Sequence, residues 1–342
     1  MKLITFTVPC YNSAVYMNKC LDSLLACGSE DEIEIIIVND GSKDETGAIA
    51  DEYAARMPKT VRVIHQSNGG HGEGVNQGIG HAEGLYFKVV DSDDWLDVEG
   101  GRKLIERMRE QSELDSPVDL FICNYVYEYA YDNTQRVMRF NNVFPEGEVI
   151  SWQETRPFGL TKYMGMHTLY YRTAVLRESG VKLPRHTFYV DNLIAYVPMP
   201  YVKTLCYLNL DLYRYFIGRS DQSVSEKVLI KKIDQQLLVN RLLIQSHKRE
   251  FIETLDIKLQ RYMRNYVRII MAIGISVEML AGNGKALYKN DENWAILKEM
   301  HPDWFQCIRY RSFVALMNLP GKLGHKINQY GYKVVHKVFK FN

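Results

Sequence analysis

The sequence predicts an α/β protein, with a mostly parallel central sheet covered by helices on both faces and a C-terminal helical extension. Three observations carry this. Up to Trp95, short β-branched runs alternate with stretches of helical spacing, the pattern of parallel strands joined by crossover helices. Polar and acidic residues gather at the ends of those runs, where open α/β sheets bind ligands. Beyond Ser225 the β-branched runs give way to helical periodicity.

The elements follow in order. Leu3–Val8 is a short apolar run ended by Pro9, and Ala14–Ala26 has helical spacing through Val15, Leu21, Leu24 and Leu25. Ile33–Val38 is a continuous β-branched run, as in a strand buried on both faces. Gly41–Met57 reads as a loop and a helix, with Ser42 as N-cap and Glu45 completing a capping box. Val61–His65 is a third strand, and a Gly-rich stretch over 68–84 holds a helix. Leu85–Val90 is a fourth strand, running into Asp91-Ser92-Asp93-Asp94-Trp95. From Val118 the pattern changes. Asp119–Tyr131, Val137–Val143, Met166–Tyr171 and Tyr201–Phe216 are rich in Tyr, Val and Phe and read as added strands. Leu229–Gln245, Leu255–Leu280 and Asn293–Lys298 read as helices.

Composition narrows the class. The 342 residues are 46% hydrophobic and 24% charged, which excludes wholesale disorder. The longest apolar stretch, near Ile269–Val277, falls far short of the roughly 20 residues of a spanning helix. The chain starts Met1-Lys2-Leu3 and enters a strand, so no secretory leader is expected and a cytoplasmic location is. Six cysteines without a CxxC pair suit reduced, buried thiols. The balance of 42 Lys and Arg against 41 Asp and Glu hides two unlike parts. Residues 1–225 hold 22 basic and 31 acidic side chains, and residues 226–342 hold 20 and 10.

Three strand ends carry polar clusters: Pro9-Cys10-Tyr11-Asn12, Asn39-Asp40-Gly41-Ser42 and Asp91-Ser92-Asp93-Asp94. Packing like charges as closely as the third does is costly unless a cation neutralises them. Carboxylates are the ligands expected for Mg²⁺ or Mn²⁺, with substrate phosphates completing the shell. The other reading is a solvated acidic turn capping the helix after Val98.

These motifs together resemble the family 2 glycosyltransferases, which have the GT-A fold (a Rossmann-like, mostly parallel sheet). Val8-Pro9-Cys10-Tyr11-Asn12 is similar to the family's opening strand, and Glu34 to Asp44 to its second strand and turn. Asn68-Gly69-Gly70 with Gly74, Asn76 and Gly78 is similar to its Gly/Asn segment, and Asp91-Ser92-Asp93-Asp94 to its Asp-x-Asp signature. The resemblance covers about residues 1–225. It implies a catalytic domain whose 1–117 part binds the nucleotide and whose 118–225 part holds the acceptor, ahead of a basic helical extension over 226–342. It also implies transfer of a sugar from a nucleotide-diphosphate donor, with UDP the commonest, to a hydroxyl of a saccharide acceptor.

By that resemblance Pro9 and Tyr11 pack around the base, and Asp40 hydrogen-bonds base or ribose. Asn12, Asn68, Asn76 and Ser92 belong to the donor site. Asp91 and Asp93 hold ribose and a divalent cation, with Asp94 beside them as a further ligand. Trp95 and His167 lie on the acceptor side, although a lone histidine is more often a packed residue. His65, His71 and His81 are too scattered to be read as a metal site. Inverting transfer needs a base opposite the leaving diphosphate. In Phe188-Tyr189-Val190-Asp191-Asn192 the family's usual Glu is Val190 and its Asp is retained as Asp191, the expected base. A helix N-cap is the alternative role for Asp191. Asn39 stands where many relatives have a further aspartate. Arg214 and Arg219, with Ser223, are candidates for diphosphate contact or loop closure, against a plain surface turn.

The Gln-x-x-Arg-Trp sequence and spanning helices of processive members are missing, so a non-processive enzyme of cell-surface polysaccharide or glycolipid assembly is expected. After Asp303 no acidic residue occurs, while aromatics interleave with seven Lys and Arg. Residues 304–342 are therefore a candidate for docking on an anionic membrane surface, unless these helices pack on the acidic part. A dinucleotide-dependent oxidoreductase would need G-x-G-x-x-G after the first strand, which does not occur. No RRM, KH or zinc pattern points to nucleic acid. A catalytically silent, transferase-like binding module is the last alternative, and the aspartates at 40, 91, 93, 94 and 191 speak against it.

Overall fold

The computed structural model of the chain describes residues 2–218, 226–281 and 284–317. The first part alternates as the sequence predicts. The elements are β1 (Ile4–Cys10), α1 (Met17–Leu25), β2 (Ile33–Asn39), α2 (Thr46–Arg56), β3 (Val61–His65), α3 (His71–His81), β4 (Tyr86–Val89), β5 (Trp95–Leu96) and α4 (Val98–Ser112). Then follow β6 (Leu120–Tyr129), β7 (Thr134–Met138), β8 (Val149–Ile150), β9 (Leu169–Arg172), α5 (Thr173–Ser179), α6 (Asp191–Tyr196) and β10 (Leu205–Ile217).

The strands form one sheet in the order β3-β2-β1-β4-β9-β6-β10-β5. The strands β1 to β4 are parallel neighbours, while β9 runs antiparallel between β4 and β6. The chain leaves β1 toward β2 and β3 on one side and returns to β4 on the other. That reversal opens a crevice beyond the carboxyl ends of β1 and β4, the position where such sheets bind ligands. Ile4, Val8, Ile35 and Ile37 are fully buried, as expected of central parallel strands. Gly78 brings α3 onto β1 so tightly that a Cβ there would lie 1.9 Å from Thr7 Oγ1.

Some local expectations change. Ser42 does not cap α2. Its N–H donates to Asn39 Oδ1, and Asp44 Oδ1 instead accepts from Thr46 N at 3.1 Å. Met166–Thr168 is a short 3-10 turn ahead of β9 rather than strand. Cys10, Cys20, Cys27, Cys123 and Cys206 are buried and Cys307 partly so, none of them bonded to another.

The chain divides into two compact units. The first holds the residues up to Pro157 together with Met164–Ile217. The second joins Phe158–Tyr163 to the described residues from Gly218 onward. It contains α7 (Glu226–Lys231), α8 (Ile233–Gln245), α9 (Arg249–Glu253), α10 (Ile257–Ala281), α11 (Gly284–Met300), α12 (Pro302–Arg311) and α13 (Val314–Met317). Leu237, Leu243, Met263, Ile270, Leu297 and Ile308 make its core. Within it the Phe158 ring lies 4.6 Å from Tyr262, and Tyr163 meets Tyr266 edge-on. Among the described residues no helix is long and apolar enough to cross a membrane. Residues 318–342, with most of the basic run considered for membrane docking, lie outside the described residues, as do Arg219 and Ser223.

Candidate active site

Three strand-end loops are stitched together. Asn12 takes a left-handed conformation, φ 52°, in which its N–H donates to Ser42 Oγ and its Oδ1 accepts from Lys43 N. Ser13 Oγ lies 2.8 Å from Ser92 Oγ, tying the β1 loop to the acidic loop. Pro9 is buried at the end of β1 and Tyr11 is 49% exposed beyond it. Asp40 is 3% exposed, and its carboxylate accepts from Gln66 Nε2, Gly69 N and Gly70 N at 2.7–2.8 Å. Asn68 Nδ2 donates to the Asp40 carbonyl. Asp40 and Asn68 therefore shape the Gly69-Gly70 turn.

That turn seats the segment leading to Asp191. Gly70 has φ 84°, and a Cβ there would lie 2.8 Å from His186 N. The His186 N–H donates to the Gly69 carbonyl at 2.7 Å. Asn76, expected at the donor, bonds to the segment that leads to Asp191. Its Nδ2 donates to the Leu183 carbonyl at 2.9 Å and its Oδ1 accepts from Leu183 N at 3.0 Å. Tyr189, two residues before Asp191, has φ 64°, a strained conformation for a bulky residue. Asp191 opens α6 as its first residue rather than capping it. Burial raises its carboxyl to about 6, with the His71 charge pulling it down and Asp91 pushing it up.

His71, read from sequence as unplaced, belongs to this centre. It begins α3, and its Nε2 lies 2.8 Å from Asp91 Oδ1. Burial works to lower the His71 pKa, but Asp91, Asp191 and Asp93 outweigh it and the net shift is upward. Burial would raise Asp91, yet His71 and then His167 and Lys88 hold it below the usual carboxylate range. The pairing joins residues 20 apart in sequence. No local pattern announces it beyond the histidine's place at a helix start after Gly-Gly.

Asp94 is 1% exposed, and its oxygens accept from Tyr213 Oη at 2.6 Å and Phe216 N at 2.8 Å. Burial, then Asp93 and Asp91, push its pKa well up. The Asp91 N–H donates to the Tyr213 hydroxyl. Tyr213 thus supports the acidic loop from β10. The His167 ring stacks on Tyr215 at 4.5 Å and meets Tyr213 edge-on at 4.9 Å. Burial lowers its pKa to about 4, so it is neutral near pH 7. Among the described residues, Asp91, Asp94 and His167 offer ligand atoms within 4.8 Å of one another. Carboxylate oxygens and an imidazole nitrogen are donors that could hold a hard divalent cation. This grouping has His167 where the sequence reading has Asp93.

Lys88 was not singled out from sequence. It is 1% exposed in β4, where its ammonium donates to the carbonyls of Met166, His167 and, at 3.4 Å, Leu169. Burial lowers it to about 7. Arg214, a candidate for diphosphate contact, pairs with Glu128 at 3.0 Å and Asp97 at 3.4 Å. Asp97 also caps α4, accepting from Gly100 N, so the acidic cluster is not that helix's cap. Trp95 pairs with Arg214 in the sheet and carries the Lys19 ammonium over its ring.

An acidic loop at a switch-point crevice, faced by a partly buried carboxylate with a raised pKa, fits a GT-A transferase domain. Residues 5–173 match the model of Glycosyl transferase family 2, and that domain belongs to the family. The uncharacterized glycosyltransferase EpsJ of Bacillus subtilis is 32% identical over 211 residues, 59% of this chain and 58% of EpsJ. The match thus spans little more than half of that relative. The Staphylococcus aureus TarS 1–349 structure in complex with UDP-GlcNAc is similar in fold, with a TM-score of 0.64 at 18% identity. That likeness covers 91% of this chain and 87% of TarS 1–349. The mannosyltransferase PcManGT of Pyrobaculum calidifontis, in complex with GDP-Man and Mn²⁺, has a TM-score of 0.53 at 15% identity. It covers 93% of this chain and 87% of its own.

Proposed function

We propose that the chain is an inverting, non-processive glycosyltransferase that moves a sugar from a UDP-sugar to a hydroxyl of a saccharide. The observation that carries this is Asp191, a partly buried carboxyl with a pKa of about 6 set close to the Asp91–His71 pair. A base of that pKa is ionised at neutral pH and basic enough to take a proton in the transition state. The acceptor oxygen attacks the anomeric carbon as the bond from that carbon to the diphosphate oxygen breaks. Asp191 receives the hydroxyl proton, and the nucleoside diphosphate departs on the opposite face, toward Asp91.

The chain's residues divide this work. Tyr11 and Pro9 receive the base, and Asp40 and Asn68 keep the Gly69-Gly70 turn in register beneath it. Asp91, Asp93 and Asp94 would hold a divalent cation, which would stabilise charge on the departing diphosphate as a Lewis acid. His167, neutral and stacked on Tyr215, walls the acceptor side. UDP is favoured because TarS, a neighbour in fold, is recorded with UDP-GlcNAc. Assembly of cell-surface polysaccharide or glycolipid on the cytoplasmic face, with the basic segment 304–342 against the membrane, completes the reading.

The test is a donor screen with UDP-, GDP- and dTDP-sugars, with and without Mn²⁺, following release of the nucleoside diphosphate. Cleavage of a UDP-sugar, dependent on the cation, is the expected result. No binding or cleavage of any nucleotide-sugar would refute it.

A further inference from the structure

Strand β6 changes character halfway along. Leu120–Cys123 is apolar and fully buried. From Tyr125 every second residue is tyrosine, through Tyr127 and Tyr129 to Tyr131 just past the strand. Alternate strand residues share one face. The neighbouring β10 sets Tyr213 beside Tyr125 and Tyr215 beside Tyr127, and β7 sets Arg136 opposite Tyr127.

The rings make a continuous row. His167 to Tyr215 is 4.5 Å between centroids, Tyr215 to Tyr127 5.6 Å, Tyr127 to Tyr129 5.9 Å and Tyr129 to Tyr131 5.6 Å. At one end His167 belongs to the group with Asp91 and Asp94, and the Asp191 charge acts on Tyr127 and Tyr215. At the other, Tyr131 is 45% exposed. Tyr127, Tyr215 and His167 are partly exposed between them. Packing alone does not ask for tyrosine here. The β2 strand of the same sheet is filled by isoleucine and valine, whereas buried phenol hydroxyls must each find a partner. The Tyr125 and Tyr127 hydroxyls lie 3.2 Å apart.

Pyranose rings have apolar C–H faces edged by hydroxyls, the chemistry that a row of phenol rings and hydroxyls matches. Each step along the row is about the length of one linked sugar. We propose that this row is the acceptor track and that the acceptor is an oligosaccharide. Its end unit reaches Asp191, and its further units lie along Tyr215, Tyr127 and Tyr131, with Tyr129, 5% exposed, packed beneath them. The inference rests on the transferase reading above and extends it from a hydroxyl to an extended chain.

The test uses the full chain, with Tyr131→Ala and Tyr131→Phe, on a printed array of oligosaccharides rising in length from single sugars. Donor binding is measured on the same preparations. The wild type should retain glycans longer than a disaccharide best. Tyr131→Ala should weaken only these, about two- to tenfold, the worth of one aromatic contact. Tyr131→Phe should keep them, and donor binding should stay at the parental level in both. Retention that is absent, independent of length, or unchanged in Tyr131→Ala overturns the track. Length-dependent retention by a protein that binds no donor would leave the track and remove the transferase reading.

Discussion

Replacing Asp191 by Asn separates two consequences of one cause. Burial lifts the Asp191 carboxyl from 3.8 to about 6, which means that the folded protein holds a charge it would rather not have. At about 1.4 kcal/mol per pH unit, the rise corresponds to about 3 kcal/mol of stability. The folded state binds the proton more tightly than the unfolded one. That stability is therefore fully present below pH 3.8 and lost as pH rises through 6. At pH 7.5 the parent carries the whole cost, and an asparagine of the same shape carries none. Asp191→Asn should thus be more stable by up to about 3 kcal/mol in urea denaturation at pH 7.5, with the gain vanishing toward pH 4. Loss of a general base should also lower kcat by about 10²–10⁴-fold, with donor binding spared. In the parent, kcat/KM should fall about tenfold per pH unit below about 6. Stopped assays of released UDP and matched denaturation curves check both arms. Turnover at the parental rate refutes the base assignment, and a variant no more stable at pH 7.5 refutes the burial account.

Three other outcomes follow from the geometry. Chelation should abolish donor cleavage and added Mn²⁺ restore it, whereas undiminished cleavage in chelator would remove the cation from the reading. Asn76→Ala leaves the Leu183 N–H and carbonyl without their partner, so it should cost about 1–3 kcal/mol in denaturation and weaken catalysis more than donor affinity. A donor Kd that rises while kcat holds would return Asn76 to the donor site. Gly78→Ala forces a methyl against Thr7 and should lose about 1–3 kcal/mol or more; a variant of parental stability would show that α3 can shift off β1.

The fold was legible because its signals are local. Ile33–Val38 reads as a buried strand, and Gly-rich 68–84 reads as a turn and helix, from neighbours in sequence alone. The acidic loop was legible because Asp91, Asp93 and Asp94 are adjacent. What the sequence did not disclose are pairings across the fold. His71 meets Asp91, Asn76 meets Leu183, and Lys88 reaches back to Met166 and His167, each over 20 to 107 residues of chain. A polar residue in such a segment reads equally as ligand or as scaffold until its partner is known. Asn76 and Arg214, expected at the donor, also bond to Leu183 and to Glu128 and Asp97. His71, set aside as scattered, sits on Asp91. The segment Phe158–Tyr163 belongs with the helices because Tyr262 and Tyr266 recur on one side of α10, a match visible only once both pieces are placed.

One physical cause orders the site. Low polarity around the acidic loop makes every ionised group there costly, and each group responds according to its sign. Asp94 and Asp191 move up, while Lys88 and His167 move down. Where the partners are in contact, as between His71 and Asp91, the charged forms are favoured on both. Lys88 is held because its ammonium donates to carbonyls on both sides of His167 and is flanked by the Tyr170 and Tyr213 rings. That anchors the His167 turn to β4 and, through the Tyr213 hydroxyl, to the loop of Asp91 and Asp94. The buried polar network thus fixes the relative positions of the acidic loop and the His167 turn. The same burial gives Asp191 the basicity that its proposed role requires.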